Sequence, residues 1–274
     1  MQKKEYNILI IGAGLIGSST AMHLANLGVK GIAVVDADLA GRLSSSELNA
    51  GGARATWDQA INVELSRASI EYMRKEQDKF GFRPCGYLWM YNQEQWSSGK
   101  NRVVEMKRRH NIDVEILSVA ELQKRVPFID KTEDLAGASF SPLDGLFNPN
   151  LLKNFMRDEA RAKGVEFLDG HPVISSKLTI KTHNIKKNLN ILAGKAVVNC
   201  AGPWASRIAS LLGYKTPVYA VRRQVSIFDC KEIAMNNYGM MVDPSGVYFH
   251  PEATNILGGY ADHSEESEKS PGYF

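Results

Sequence analysis

Apolar residues in this chain fall into short blocks with two recurring periods. Tyr6–Ile11 (YNILII) is β-branched and nearly continuous, the pattern of a strand buried on both faces of a parallel sheet. After Gly12-Ala13-Gly14-Leu15-Ile16-Gly17 the spacing lengthens. Leu15, Ile16, Met22, Leu24, Ala25 and Leu27 predict a helix, with Gly28 placed to stop it. Ile32–Val35 is a second buried-type strand ending in Asp36. Further on, Gln59–Phe80 predicts a long helix, Gly86–Tyr91 a strand, Val103–Asn111 a helix and Leu135–Asn148 a strand with a turn. Asn150–Lys163 predicts another helix, stopped by Gly164, and Val165–Leu168, Val173–Ser176, Leu178–Thr182 and Leu189–Leu192 predict a small meander. Lys195–Cys200 is again a buried-type strand, leading through Ala201-Gly202-Pro203-Trp204 into a helix at Ala205–Leu212. Val218–Phe228 and Gly246–His250 read as extended. The chain therefore leaves its first sheet and returns to it, without internal repeats or low-complexity segments.

Strand, G-x-G-x-x-G, helix, strand and acid occur at the N-terminus in the order of a dinucleotide-binding unit. Gly12 permits the tight turn, Gly14 lets the backbone approach a pyrophosphate at the helix N-terminus, and Gly17 lets the helix pack on the strand. Asp36 lies 19 residues beyond Gly17, in reach of a ribose diol, and an acid there argues against a 2′-phosphate. NAD and FAD fit the motif alike. Past Asp36 no run of short βα units follows, which counts against a nicotinamide-dependent dehydrogenase. Instead Gly41–Gly52 (GRLSSSELNAGG) is a loop of small residues whose exposed N–H groups suit a phosphate or a flat ring, with a plain surface loop as the alternative.

Composition changes this picture little. The 274 residues are 44% hydrophobic, 9% aromatic and 23% charged, which excludes disordered, collagenous and coiled-coil classes. The length suits one large domain or two intertwined ones. A net charge of +3 is too mild to imply nucleic acid, and the basic stretch Lys100–His110 reads as the solvated face of an amphipathic helix. Cys85, Cys200 and Cys230 are too far apart for a metal knuckle, so no metal is expected and the thiols read as reduced and mostly buried. No apolar run approaches the roughly 18 residues of a membrane span. Two lysines before YNILII imitate a signal peptide, but the strand-and-glycine reading predicts a retained segment, and the expected location is cytoplasmic.

Several phrases then occur in a telling order: the Gly12–Gly17 fingerprint with Asp36, Gly51-Gly52, Pro84-Cys85-Gly86-Tyr87-Leu88, Ser141-Pro142-Leu143-Asp144-Gly145, Val197-Val198-Asn199-Cys200-Ala201-Gly202-Pro203-Trp204-Ala205, and Pro217-Val218 with Arg223-Gln224. Together, over about Tyr6 to Tyr260, they resemble the D-amino-acid-oxidase-like FAD-dependent oxidoreductases, in particular the sarcosine oxidase and dimethylglycine dehydrogenase branch. The resemblance implies an α/β fold, with a Rossmann-like FAD-binding domain (1–84 plus 146–213) and an interleaved mixed-sheet α+β substrate domain (85–145 plus 214–274). It implies extended FAD, covalently linked or not. The cofactor contacts it implies are Gly12, Ala13, Gly14, Leu15, Ile16, Gly17, Asp36, Ala37, Ser45, Ser46, Gly51, Gly52, Ala201, Gly202 and Trp204. Val173 resembles the residue whose backbone pairs with adenine, a plain sheet residue being the alternative.

For function, the resemblance implies oxidation of the C–N bond of a small amine or of an N-methyl, cyclic or D-amino acid. Arg54 resembles an arginine near the flavin, and a guanidinium fork suits a substrate carboxylate. Arg222 and Arg223 are adjacent, so at most one faces a pocket; Arg223 matches the family phrase, an ion pair being its alternative role. Tyr248 and His250 share one strand face, either to orient substrate and take a proton or to pack as an aromatic layer. His23, His110, His171 and His183 are expected to have no site role. Asn255–Tyr260 (NILGGY) lacks the lysine and histidine that monomeric sarcosine oxidases carry next, which leaves sarcosine and oxidase chemistry open. Relatives continue beyond the Tyr260 strand, so the polar stretch Ala261–Phe274 implies a truncated chain or a partner that completes the flavin site. The competing reading is a noncatalytic nucleotide-binding subunit.

Overall fold

The computed structural model describes residues 2–176, 180–182, 189–230 and 235–260. The chain begins β1 (Gln2–Ile11), α1 (Leu15–Asn26), β2 (Ile32–Val35), β3 (Gly52–Ala53), α2 (Ala60–Arg74), α3 (Gln77–Phe80), β4 (Tyr87–Asn92) and α4 (Gln93–His110). It continues through β5 (Glu115–Leu117), α5 (Val119–Arg125), β6 (Leu135–Ser141), β7 (Gly145–Leu146), α6 (Pro149–Ala162), β8 (Glu166–Leu168), β9 (Val173–Ser176) and β10 (Ile180–Thr182). The last elements are β11 (Leu189–Asn199), α7 (Ala205–Leu211), β12 (Val225–Asp229), β13 (Met240–Val242), β14 (Tyr248–Glu252) and β15 (Asn255–Gly259). Two compact units divide this list: residues 2–49 with 149–222, and residues 50–148 with 223–260.

The first unit is built on a sheet of order β8-β2-β1-β11-β10-β9. Its β1, β2, β8 and β11 are parallel, and β9 and β10 add an antiparallel end. Leu9, Ile11, Ala33 and Val35 pack with Tyr6 and Ile208 of α7 in one core cluster, with Val173, Val197 and Ala201 against it. All four β2 residues are buried, as a strand covered on both faces requires. The second unit holds a seven-stranded mixed sheet, β12-β15-β14-β13-β4-β6-β5, and the short β3-β7 pair. Leu88, Met90, Ala138 and Met241 pack on Leu122 of α5, while Val63 of α2 packs with Val103 and Met106 of α4. The α/β class and the mixed second sheet are thus as expected.

Several boundaries differ. Residues 50–84 belong with the second unit, because α2 buries Val63 against α4 and Gly52-Ala53 pairs with Leu146-Gly145. The helix expected over Gln59–Phe80 is two, since Glu76 leaves helical geometry at φ −137. Val165–Leu168 lies mainly in the parallel strand β8 beside β2, not in the meander. Leu189–Leu192 and Lys195–Cys200 merge into one strand, β11. Helix α4 starts ten residues before Val103 because Asn92 and Gln95 form a reciprocal capping box. The extended Val218–Phe228 run enters the sheet as β12 from Val225, so Arg222 and Arg223 precede β12 and are exposed. The basic face of α4 is solvated as expected, with Arg108 and Arg109 paired to Glu105. Leu178, His183 and Ala261–Phe274 lie outside the described residues. The three cysteines form no disulfide and are half-buried rather than buried.

Candidate functional site

In the first unit, the turn after β1 is determined by what a side chain would hit. Gly12 has φ +100 and receives its place from Gly12 N–H donating to the Val35 carbonyl at 2.9 Å. A Cβ there would lie 2.3 Å from the Cys200 carbonyl oxygen, and one on Gly17 would lie 1.9 Å from the Gly12 carbonyl oxygen. Only Ser46 Oγ, at 3.0 Å, stands near the Cβ position of Gly14, the N-cap of α1. The outer glycines are therefore required by backbone crowding, and the middle one faces a movable hydroxyl. That is the division of labour a pyrophosphate-binding turn needs.

Around this turn the polar groups converge on the backbone. Asp36 Oδ2 accepts from Ala13 N–H at 2.6 Å, and its Oδ1 accepts from Asp38 N–H at 2.9 Å, with Ala37 between. Leu15 N–H donates to Ser46 Oγ at 2.8 Å, and Asn49 holds the Ser45 and Ser46 carbonyls. Ser45 itself is exposed, as is Ile16. His171, expected to have no role, is buried beside Asp36: its N–H donates to the Asp36 carbonyl at 2.8 Å, its Nδ1 lies 2.7 Å from the Asp169 carbonyl, and its Nε2 has no partner. Val173 packs against the core through its side chain. Cys200 N–H donates to the Ile11 carbonyl, and Ala201, Gly202 (φ +51) and Trp204 form the tight turn that follows.

In the second unit, Arg54 lies over the Trp57 ring (3.9 Å to its centroid) and near Trp89 (5.0 Å), a cation held between two aromatic faces. Burial lowers its guanidinium below the ordinary arginine range, opposed by Tyr87 and Asp144. Asp144 is 1% exposed; its Oδ1 accepts from Ala55 N–H at 2.9 Å and its Oδ2 has no standard hydrogen bond. Burial pushes this carboxyl up to about 6 and the Tyr87 hydroxyl up to about 12. Gly51 is buried and its carbonyl accepts from Phe147 N–H. A Cβ on Gly52 would lie 2.0 Å from the Tyr87 hydroxyl oxygen, so this glycine makes room for the tyrosine.

The three residues expected to act on substrate separate here. Arg54 and Tyr248 are both grouped around Tyr87, Tyr248 packing half-buried against the Tyr87, Leu146 and Met240 cluster. His250 is 2% exposed, with Nδ1 at 2.8 Å from the Pro251 carbonyl and Nε2 unpartnered; burial lowers its pKa. Its ring is core, which suits the packing alternative for this face. Asp144, Tyr87, Trp57, Trp89, Lys153 and Arg157 were not assigned roles from sequence. For Trp57, three residues after an arginine in a small-residue loop, a signal was present; for the others burial is the signal, and it is visible only in three dimensions.

A parallel sheet with a glycine turn, an acid at the end of β2 and a separate mixed-sheet unit defines a dinucleotide-binding α/β protein. The comparisons narrow this. The model of the FAD dependent oxidoreductase (DAO) family matches residues 7–272. FAD-dependent oxidoreductase domain-containing protein 1 of Bos taurus is 30% identical over 97% of this chain and 64% of its own length. Monomeric sarcosine oxidase of Arthrobacter sp. (strain TE1826) is 24% identical over 90% of this chain and 65% of its own. The crystal structure of L-proline dehydrogenase from P. horikoshii superposes with a TM-score of 0.83 at 22% identity, covering 95% of this chain and 71% of that one. The chain belongs to the FAD dependent oxidoreductase family, and it spans just under two thirds of the length of the two curated relatives named.

FAD is the cofactor of this family, and the first unit fits its ADP half. Backbone crowding leaves no room for a side chain at Gly12 or Gly17, Gly14 at the N-cap of α1 meets only the Ser46 hydroxyl, and His171, whose Nε2 is unpartnered, is tied through its backbone N–H to the Asp36 carbonyl. Gly12–Gly17, Asp36 and Ser46 are the residues that would hold it there. Among the described residues no helix is long and apolar enough to cross a membrane, and no cluster of three metal-ligating side chains occurs.

Proposed function

We propose that this chain carries the cofactor- and substrate-binding framework of an oxidoreductase that oxidises the C–N bond of a small amino acid or amine. When bound, FAD supplies the redox chemistry by taking up a hydride from the carbon next to nitrogen. The protein's part is to bind, orient and desolvate the substrate. The observation that carries the reading is Arg54, a guanidinium held between Trp57 and Trp89, with the buried Asp144 and Tyr87 as its electrostatic neighbours. A planar fork presented from an aromatic setting suits a carboxylate and an adjacent apolar carbon. Tyr248 contributes a hydroxyl on the same aromatic cluster. The names of two relatives, a sarcosine oxidase and a proline dehydrogenase, support a small secondary amine bearing a carboxylate as the substrate class.

The test is an anaerobic screen of the FAD-loaded protein for flavin bleaching by sarcosine, dimethylglycine, proline and D-amino acids. Bleaching by one of these, lost in Arg54→Met through a raised KM, is the expected result. FAD binding without bleaching by any amine refutes the catalytic reading and leaves a noncatalytic nucleotide-binding subunit. Thermal protection by NADH but not by FAD refutes both.

A further inference from the structure

Two cations occupy the buried face of α6, one turn apart. Lys153 is 1% exposed and Arg157 is 7% exposed, an arrangement that costs several kcal/mol per ion unless the charges have work to do. Arg157 satisfies its guanidinium on the nucleotide turn: Nη2 donates to the Ala13 carbonyl, Nη1 to the Leu39 carbonyl at 2.8 Å, and Nε to Ser18 Oγ at 3.2 Å. Each of these acceptors is uncharged. Ala13 lies within the turn, Ser18 follows it and Leu39 follows Asp36, so one side chain ties the β1 turn to the β2 loop. Lys153 pairs with Glu47 and donates to Asn150 Oδ1 at 3.3 Å. Glu47 sits in the short helical turn that also presents Ser46 to the Leu15 N–H. Like charges four apart on a helix repel. Burial and Arg157 together lower Lys153 to about 8, and Asp36 opposes this.

We propose that Lys153 and Arg157 are positioning residues for the cofactor's diphosphate: they lock the Gly12–Gly17 turn and the Ser44–Asn49 turn together and make that seat electropositive. The direct acceptors of Arg157 are uncharged, its charge is countered through space by Asp36, Asp158 and Asp169, and a bound diphosphate would supply a further anion. Neither residue need touch the cofactor, and the inference concerns the ADP half alone.

The experiment measures Kd by calorimetry on the full chain for FAD, ADP and adenosine, in the wild type, Arg157→Met, Arg157→Lys, Lys153→Met and Lys153→Arg. The expected result is a loss of about tenfold or more in ADP and FAD affinity for each methionine variant. Adenosine, which has no phosphate, should stay within about twofold. Lysine at 157 and arginine at 153 should recover part of the loss, and these two variants carry the test if the methionine variants fail to fold. Wild-type ADP affinity should fall as pH rises through 8, when Lys153 loses its charge, and Lys153→Arg should abolish that fall. Equal losses for adenosine and ADP, or wild-type affinity in Arg157→Met, would overturn the proposal. A wild-type chain that binds neither FAD nor ADP would overturn the cofactor reading itself.

Discussion

Replacing Gly17 by alanine sets two backbone effects against each other. In isolation alanine is the better helix former by about 1 kcal/mol, and Gly17 lies inside α1. The added methyl, however, would stand 1.9 Å from the Gly12 carbonyl oxygen, about 1.5 Å short of ordinary contact. The obstacle is backbone, so no rotamer change relieves it. Cys200 Cβ, at 3.3 Å, closes the other side. Helix α1 must therefore move off the turn, at a cost of about 1–3 kcal/mol or more for overpacking, which outweighs the propensity gain. Gly28→Ala is the matched control: its φ of +85 strains any side chain, but nothing stands within 4 Å of the new methyl. It should lose about 1 kcal/mol and leave the turn intact. Thermal unfolding with and without FAD separates the two. Both variants should melt a few degrees lower without ligand. Only Gly28→Ala should keep the FAD-dependent rise in melting temperature, because only Gly17→Ala displaces the N–H groups that would face the phosphates. A Gly17→Ala protein with wild-type stability and wild-type FAD affinity would refute the crowding argument.

Three further outcomes follow from the second unit. Asp144 titrates near 6 in the folded chain and near 4 in the unfolded one, so the native state holds a proton that the unfolded state has lost between those values. Stability should therefore fall as pH rises from about 4 to 6, and denaturant titrations of Asp144→Asn should show that fall abolished; an unchanged pH profile would sink the assignment. Gly52→Ala places a methyl 2.0 Å from the Tyr87 hydroxyl oxygen, and Tyr87→Phe removes that atom. The double variant should thus be more stable than the sum of the two single losses, by about 1 kcal/mol in a double-mutant cycle; additivity would refute the contact. Arg54→Lys keeps the charge but not the planar fork between Trp57 and Trp89, so KM for carboxylate substrates should rise by about tenfold or more with a smaller change in kcat, read by steady-state kinetics.

How much of this was legible in the sequence depends on the range over which each feature is encoded. The nucleotide turn is encoded within 25 residues, from Gly12 to Asp36, and by backbone requirements that only glycine meets. It reads directly, and the structure adds the reason: Gly12 and Gly17 are each closed off by a named carbonyl. Strand positions with buried apolar runs read equally well, whereas α4 was read short because its first two turns carry polar residues and its start is set by a capping box. The 50–84 segment was misplaced for a related reason: its packing partner, Val103 with Met106, lies some forty residues away.

The side chains that decide the chemistry are the least legible, and the cause is common to them. Lys153 and Arg157, at spacing four on a helix, were given no role from sequence, and the default for charge is water. His250 in an aromatic strand reads as a candidate base, since a histidine beside a tyrosine normally suggests proton transfer. The structure inverts both: the cations are buried on the nucleotide turn, and the imidazole is core. A pattern rule assigns a charged residue to the surface because an unpaired buried charge is costly, so it fails where that cost is offset by backbone carbonyls, by a counter-charge or by a ligand. Buried, hydrogen-bonded charge is therefore the observation to search for when a fold is legible and its site is not. In this chain it occurs at the glycine turn that would hold the cofactor's phosphates, so a backbone signal and a burial signal, independent of each other, meet at one place.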